Sequence, residues 1–234
     1  MICDNLTHIL DMIEQTARNV GRNPKEIKLV AVSKGMSVEQ VQLAIDCGQD
    51  LFGESYLQEA SSKIRHFPTT VRWHFIGHLQ SNKARQAAEL FDVIETVDRL
   101  NLAQALDNHV GLLKKELSIL VQVNLGREKQ KSGILPEEAE PFLRLITQKT
   151  RLHILGLMTI PPYFPDPEKS RTYFKELNDL ARKLADQGLF KDNAHPELSM
   201  GMSNDYAVAI EEGATIVRVG TALFGTRNQK GISL

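Results

Sequence analysis

The sequence predicts an α/β fold: a single (β/α)8 TIM barrel domain over residues 1–234 that begins with one extra amino-terminal helix. Three observations predict it. Apolar, β-branched runs alternate with helical patterns eight times without a break. The length of 234 residues is close to the ~250 typical of one such barrel. No linker, low-complexity tract or composition shift divides the chain. An open doubly wound sheet produces the same alternation and is the alternative architecture.

The elements follow in order. Leu6, Ile9, Leu10, Ile13, Ala17 and Val20 recur at helical spacing and Gly21 stops them, which predicts the extra helix. Strands are expected near 27–33, 50–54, 71–77, 92–97, 118–124, 153–159, 196–200 and 214–219. Between them, helices are expected near 38–47, 56–66, 80–90, 99–115, 136–149, 167–187 and 204–212, with a short last one after 220. Punctuation supports these boundaries. Ser37 to Gln40 and Ser55 to Gln58 read as capping boxes, and Asp166-Pro167 reads as an N-cap with proline in the first turn. Gly48, Gly188 and Gly213 follow helix ends. Runs such as ILVQVN and TIVRVG are rich in the β-branched residues of strands buried in a parallel sheet. The proline-rich stretch PPYFPDP at 161–167 is expected to be a loop at the carboxyl ends of the strands.

Composition excludes some classes of function. With 42% hydrophobic and 24% charged residues the chain is an ordinary globular protein. Lys+Arg of 28 against Asp+Glu of 29, a net charge of −1, gives no expectation of nucleic acid or an anionic membrane as partner. No run approaches the ~18 apolar residues of a membrane span. The stretch MICDNLTHILDMIEQ mixes acidic with apolar residues, so no signal peptide is expected and the cytoplasm is the expected compartment. Cys3 and Cys47 fall in two predicted helices without metal-ligand spacing; one pair makes no disulfide framework, and a reducing cytosol fits.

In a barrel the active site forms at the carboxyl ends of the strands. The polar and special residues there are Lys34; Glu54 and Ser55; His74 and His78; Thr96 and Asp98; Asn124; Met158 and Thr159; Ser199, Met200 and Gly201; and Arg218, Gly220 and Thr221. Lys34 closes the apolar run LVAVS. A lysine there is either a surface residue at a strand end or an amine desolvated by its surroundings, which lowers the pKa and makes a Schiff-base nucleophile. SMGMSND after the seventh strand and RVGTALFG after the eighth are small-residue turns leading into helices, which favour an anion. Phosphate sites of these barrels lie in the same two loops. Ser199 to Ser203 with Gly220 and Thr221 therefore read as a phosphate cup, although Gly and Ser also populate any tight turn.

Arg218 interrupts the apolar run ATIVRVG. It is either half of a structural ion pair with Glu54 or Asp98 or a cation held against a ligand. His74 and His78 lack a third ligand at diagnostic spacing, so no metal is expected. Lys129 and Lys131 in EKQKSG read as a solvated face.

Taken together, LVAVSKG, FGESYLQEA, WHFIGHLQSNK, VNLGREKQKSG, GLMTI, SMGMSND and VRVGTALFG resemble the YggS-type pyridoxal 5′-phosphate (PLP) homeostasis proteins, in the same order and from about residue 5 to about residue 227. That family is similar in fold to the amino-terminal barrel domain of alanine racemase and lacks its second, β-rich domain. The resemblance implies that Lys34 carries PLP as an internal aldimine, that Ser199, Gly201 and Ser203 with Gly220 and Thr221 surround the phosphate, with Met200 among the cofactor-binding residues, and that Arg218 faces the pyridine nitrogen. It also brings His74, Ser55 and Met158 to the cofactor, and it assigns Lys131 to cofactor exchange. This chain departs from the family pattern at Gly35-Met36-Ser37, where the family often has Thr-Lys-Pro, and at Ser55, where it usually has Asn. The expected partners are PLP and the apoenzymes that receive it, with the chain a monomer. The alternatives are a weak PLP-dependent amino-acid racemase and, less favoured because it leaves the phosphate cup without a partner, a cofactor-free Schiff-base aldolase.

Overall fold

The computed structural model describes residues 1–113 and 115–226. It is a closed parallel barrel whose strands are ordered β1 to β8 around the ring. The strands are β1 (Lys28–Val32), β2 (Leu51–Glu54), β3 (Arg72–Phe75), β4 (Val93–Val97), β5 (Ser118–Gln122), β6 (His153–Met158), β7 (Glu197–Ser199) and β8 (Ile216–Val219). Each lies within its expected span. β1 closes the ring on β8 with Lys28 beside Ile216 and Ala31 beside Val219, so the closed alternative holds and the open sheet does not.

Helix α1 (Ile2–Asn19) precedes the barrel, and α2 (Val38–Asp46), α3 (Leu57–Ile64), α4 (Ala84–Leu90), α5 (Leu100–Leu113), α6 (Ala139–Lys149), α7 (Arg171–Ala185), α8 (Tyr206–Glu211) and α9 (Thr221–Phe224) follow the strands in turn. The capping box at Ser37 forms, with its hydroxyl accepting the Gln40 amide and its own amide donating to the Gln40 side chain. The box expected at Ser55 does not, because α3 begins one residue later with Tyr56 as an uncapped N-cap. Asp166 caps the Glu168 amide of a short 3-10 turn ahead of α7. Residue 114 of the helix expected to 115, and residues 227–234 of the domain expected to span 1–234, lie outside the described residues.

Strand alternation sorts the core into two parts. Val30, Leu51, Val93, Leu120, Met158 and Ile216 point inward and fill the barrel. Their neighbours, among them Ala31, Phe52, Trp73, Phe75, Ile119, Leu157 and Val217, point outward to meet the helices. Helix α1 buries Leu6, Ile9, Ile13 and Ala17 against α8, α9 and α2, and its Asn5 amide donates to the Leu223 carbonyl of α9 at 2.9 Å. One expectation is corrected here. Cys3 and Cys47 are joined as a disulfide with their Cα atoms 5.4 Å apart. The extra helix brings its first turn to the end of α2, a proximity that a separation of 44 residues conceals.

Candidate functional site at the barrel mouth

The loops at the carboxyl ends of the strands enclose two adjoining cavities. The first, of about 290 Å³, is lined by Val32, Lys34, Ile76, Ile160, Pro162, Tyr163, Met202, Ser203, Asn204, Asp205, Arg218, Gly220 and Thr221. The second, of about 450 Å³, is lined by Ser55, Tyr56, Gly77, His78, Thr96, Gln122, Lys131 and Ser132, and it shares Lys34, Ile76 and Ile160 with the first. Lys34 therefore stands where the two meet. It lies two residues past the end of β1, and the parity that turns Val30 and Val32 inward turns Lys34 the same way.

The expected cup takes shape on one wall of the first cavity. Ser203 follows β7, and its hydroxyl accepts the amides of Gly220 and Ala222 at 3.3 Å each, which locks the β7 loop onto the opening turn of α9. The first amides of a helix have no intrahelical acceptor. Gly201 is needed for this path: its φ is +90°, and a Cβ there would press to 2.6 Å from the Ala209 Cβ. Gly220 differs, because a Cβ there would touch Val32 only at an ordinary 3.4 Å. No clash inside the protein demands glycine at 220; its bare face is presented to the cavity.

Beneath the mouth a polar chain crosses the barrel. Arg218 is buried on β8, donating through Nη1 to the Ser199 hydroxyl at 2.6 Å and through Nη2 to the Thr159 carbonyl at 2.8 Å. Ser199 in turn donates to Glu95 Oε2 at 2.5 Å, and His74 Nδ1 lies 2.6 Å from Glu95 Oε1. The sequence reading offered Glu54 or Asp98 as the partner of Arg218, and the structure corrects this. Glu95 is the nearby carboxylate, at 4.0 Å, whereas Asp98 pairs with Arg99 and Glu54 with Lys63. Asp98 lies past the end of β4 and Glu54 faces the helices, so neither enters the barrel beside Arg218. Glu95, inside VIETV, is as anomalous in its apolar strand as Arg218 in its own, and that symmetry was the missed signal. Burial pushes the Glu95 carboxyl up, but the hydrogen bond and charge of His74, the Arg218 guanidinium and the Ser199 hydroxyl more than reverse this and hold it below the usual carboxylate range. Burial lowers the pKa of Arg218 against the pull of Glu95 and Asp205, yet a guanidinium stays charged.

The remaining sequence-selected residues divide. Ser203, Arg218, Gly220 and Thr221 line the first cavity with Lys34, and Ser55 lines the second. Ser199 and His74 lie in the polar chain below, Gly201 shapes the loop, and Met158 belongs to the inner barrel core. Met200 packs outward among the helix-side residues. His78 Nδ1 meets the Ser132 hydroxyl at 3.1 Å. Among the described residues no three His, Cys, Asp or Glu side chains gather as a metal site. Lys129 is exposed, but Lys131 turns to the second cavity, paired with Glu128 and donating to the Pro161 carbonyl.

Comparison with known proteins agrees with the barrel fold. The family model of the alanine racemase amino-terminal domain matches residues 5–228. The chain is 41% identical over 232 residues to the pyridoxal phosphate homeostasis protein of Vibrio alginolyticus, covering 97% of this chain and 98% of that one. It is also 41% identical over 234 residues to the homologue of the same name in Escherichia coli K12, covering 97% of each. The structure of PipY from Synechococcus elongatus with PLP bound superposes with a TM-score of 0.83 at 35% identity, covering 96% of this chain and all of that one. Alanine racemase of Clostridium difficile shares the fold at 18% identity and a TM-score of 0.73, and this chain spans 58% of its length. The chain belongs to the alanine racemase amino-terminal domain family and, within it, to the pyridoxal phosphate homeostasis proteins.

Proposed function

We propose that this chain binds pyridoxal 5′-phosphate in the first cavity with Lys34 as its covalent anchor, and that it serves PLP homeostasis by holding and releasing the cofactor. The observation that carries this reading is that one cavity is lined both by an inward-facing lysine and by the cup of Ser203, Gly220 and Thr221. The donor set suits the group: the hydroxyls of Ser203 and Thr221 at the opening turn of α9 and a bare glycine for a phosphate, and an amine for an aldehyde. When bound, the cofactor supplies that aldehyde and an electron-withdrawing pyridine ring. Ser203 orients the cup, and Ile76, Ile160 and Val32 supply the apolar lining around Lys34.

Arg218 restrains the chemistry in this reading. It cannot act as an acid, and a ring nitrogen facing it stays unprotonated and withdraws electrons weakly. In this reading the chain acts as a monomer whose partners are PLP and the apoenzymes that receive it. The cytoplasm, where such apoenzymes work, is the compartment we infer. No described helix is long and apolar enough to cross a membrane.

The test is borohydride reduction of the PLP-loaded protein followed by peptide mapping. The pyridoxyl group is expected on Lys34, and Lys34→Ala is expected to abolish the visible absorption of the bound cofactor. A label on Lys131, with the spectrum of Lys34→Ala intact, would overturn the reading. Turnover of an amino acid on the order of 1 s⁻¹ that survives rigorous purification would favour the racemase alternative.

A further inference from the structure

Behind Lys34, on the outer side of the barrel wall, lies a second cluster of charges that the proposed binding site does not use. Lys63 of α3 is only 3% exposed, the one buried lysine among the described residues. Its ammonium has three donors and places all three: the Ser33 carbonyl at 2.8 Å, Glu54 Oε1 at 2.7 Å and Glu59 Oε1 at 2.7 Å. Glu54 Oε1 also accepts the Ser33 hydroxyl at 2.6 Å, and Glu59 Oε1 accepts the Gly35 amide at 2.6 Å. The parity of β1 accounts for the arrangement. Ser33 points outward to this cluster and Lys34 inward to the cavities.

The two peptide groups that flank the Lys34 Cα are thereby held by one ion cluster. The carbonyl of Ser33 closes the first and is held by Lys63. The amide of Gly35 opens the second and is held by Glu59. Immediately afterwards Gly35, with φ +76°, and the Met36 amide bonded back to the Ser33 carbonyl turn the chain away. Stability does not account for such a cluster. A buried ion pair is commonly no better for stability than apolar residues of the same volume, and here Glu54 leaves Oε2 buried without a hydrogen-bond partner. Burial raises the Glu54 carboxyl against the pull of Lys63. What the cluster does supply is a fixed backbone at the single residue between its two ends.

We infer that Lys63, through Glu59 and the Ser33 carbonyl, is a positioning residue that fixes the Lys34 backbone so that its amine is presented to the cofactor aldehyde. This rests on Lys34 being the anchor, as proposed above. Misplacing a reacting group by about 1 Å can cost 10²-fold, whereas the phosphate cup is held by the bonds of Ser203 to the Gly220 and Ala222 amides, which do not involve α3.

The experiment separates these two contributions with the full-length protein. PLP reads anchor and cup together; pyridoxine 5′-phosphate, which has no aldehyde, reads the cup alone. The variants are Lys63→Met, Lys63→Arg and Glu59→Gln, the last at a half-buried carboxylate that leaves Lys63 paired with Glu54. We expect Lys63→Met to slow borohydride-trappable attachment of PLP to Lys34 at least tenfold while pyridoxine 5′-phosphate affinity changes less than twofold. Glu59→Gln should show the same split at about threefold, and Lys63→Arg should recover part of the loss. Equal attachment rates in parent, Lys63→Met and Glu59→Gln, or an equal loss of affinity for both ligands, would overturn the inference. If Lys63→Met does not fold, the split in Glu59→Gln alone decides. A parent protein that traps no label on Lys34 overturns the anchor itself, an outcome distinct from a parent and variants that trap it alike.

Discussion

Arg218 and Glu95 lie 4.0 Å apart inside the barrel, with the hydroxyl of Ser199 bonded to both. Since His74 occupies the other Glu95 oxygen, both oxygens of a fully buried carboxylate are used, and the floor of the cavity is a closed polar chain. Such a network is stable while complete and costly when one member is lost. Glu95→Gln leaves the Arg218 charge buried without its counter-charge and should cost about 3 kcal/mol. Ser199→Ala, which removes a bridge but no charge, should cost about 1–3 kcal/mol. Urea denaturation of the cofactor-free protein measures both, and losses under about 0.5 kcal/mol would mean that the chain contributes nothing.

The same network sets the acid limb of stability. Glu95 is held below its unfolded value of ~4.3. The unfolded chain therefore binds the extra proton, and the stabilisation is complete above about pH 5 and lost as pH falls through the folded value. Glu54 is shifted upward by burial, so its contribution has the opposite sign: stability falls as pH rises from ~4.3 through its folded value. Glu95→Gln should flatten the stability profile between about pH 5 and 3, and Glu54→Gln should steepen its rise with pH. Parallel profiles for parent and both variants would assign the acid limb to other groups.

Arg218→Glu, the natural substitution for restoring a protonated ring nitrogen, would set a second carboxyl beside Glu95. Two carboxylates at that spacing cannot both ionise, and one is forced to stay protonated. We expect Arg218→Glu alone to lose more stability than Ser199→Ala and the double variant with Glu95→Gln to recover part of it. In a folded double variant the α-proton of a bound amino acid should exchange faster than in the parent. Slower exchange would make Arg218 a participant in the chemistry rather than a restraint on it.

Affinity should come mainly from the phosphate. Ser203 holds the Gly220 and Ala222 amides in place, and Ser203→Ala removes both of these bonds between the two loops. PLP should bind about fivefold more weakly to the variant, and pyridoxal should bind at least tenfold more weakly than PLP to the parent, about 1.4 kcal/mol. Fluorescence titration of both ligands against both proteins decides this. Pyridoxal and PLP binding equally well would remove the cup from the site.

What was legible in the sequence follows the range of the forces involved. Strands such as TIVRVG and the stripe of α1 announce themselves through local periodicity, so the eight strands, the extra helix and the place of Lys34 could be read directly. The partner of Arg218 could not, because pairing across a barrel depends on which way each strand faces at a given depth. Glu95 stands in the middle of β4, whereas Asp98 stands just past its end. Lys63 has partners hidden for a similar reason, although it stands on the apolar stripe of Leu57, Ala60 and Ile64, where a lysine needs a buried partner. Met200 shares SMGMSND with residues of the cup, yet one step of strand parity turns its side chain to the helices.

The Cys3–Cys47 bond is the feature furthest from any local signal. It closes a loop of 44 residues from the first turn of α1 to the end of α2, for which chain entropy alone gives about 4 kcal/mol. Because α1 is also bonded to α9 through Asn5 and Leu223, part of that order persists without the bond, and a loss of about 2–3 kcal/mol is expected for Cys3→Ser. For a chain of this length that corresponds to a fall in Tm of roughly 4–12 °C. The measurement is thermal unfolding of the parent with and without a dithiol reductant beside Cys3→Ser. Reduced parent and variant should coincide and both melt below the oxidised parent. If reductant leaves the parent unchanged and mass spectrometry finds both thiols free to alkylate in the purified protein, the staple does not form in solution.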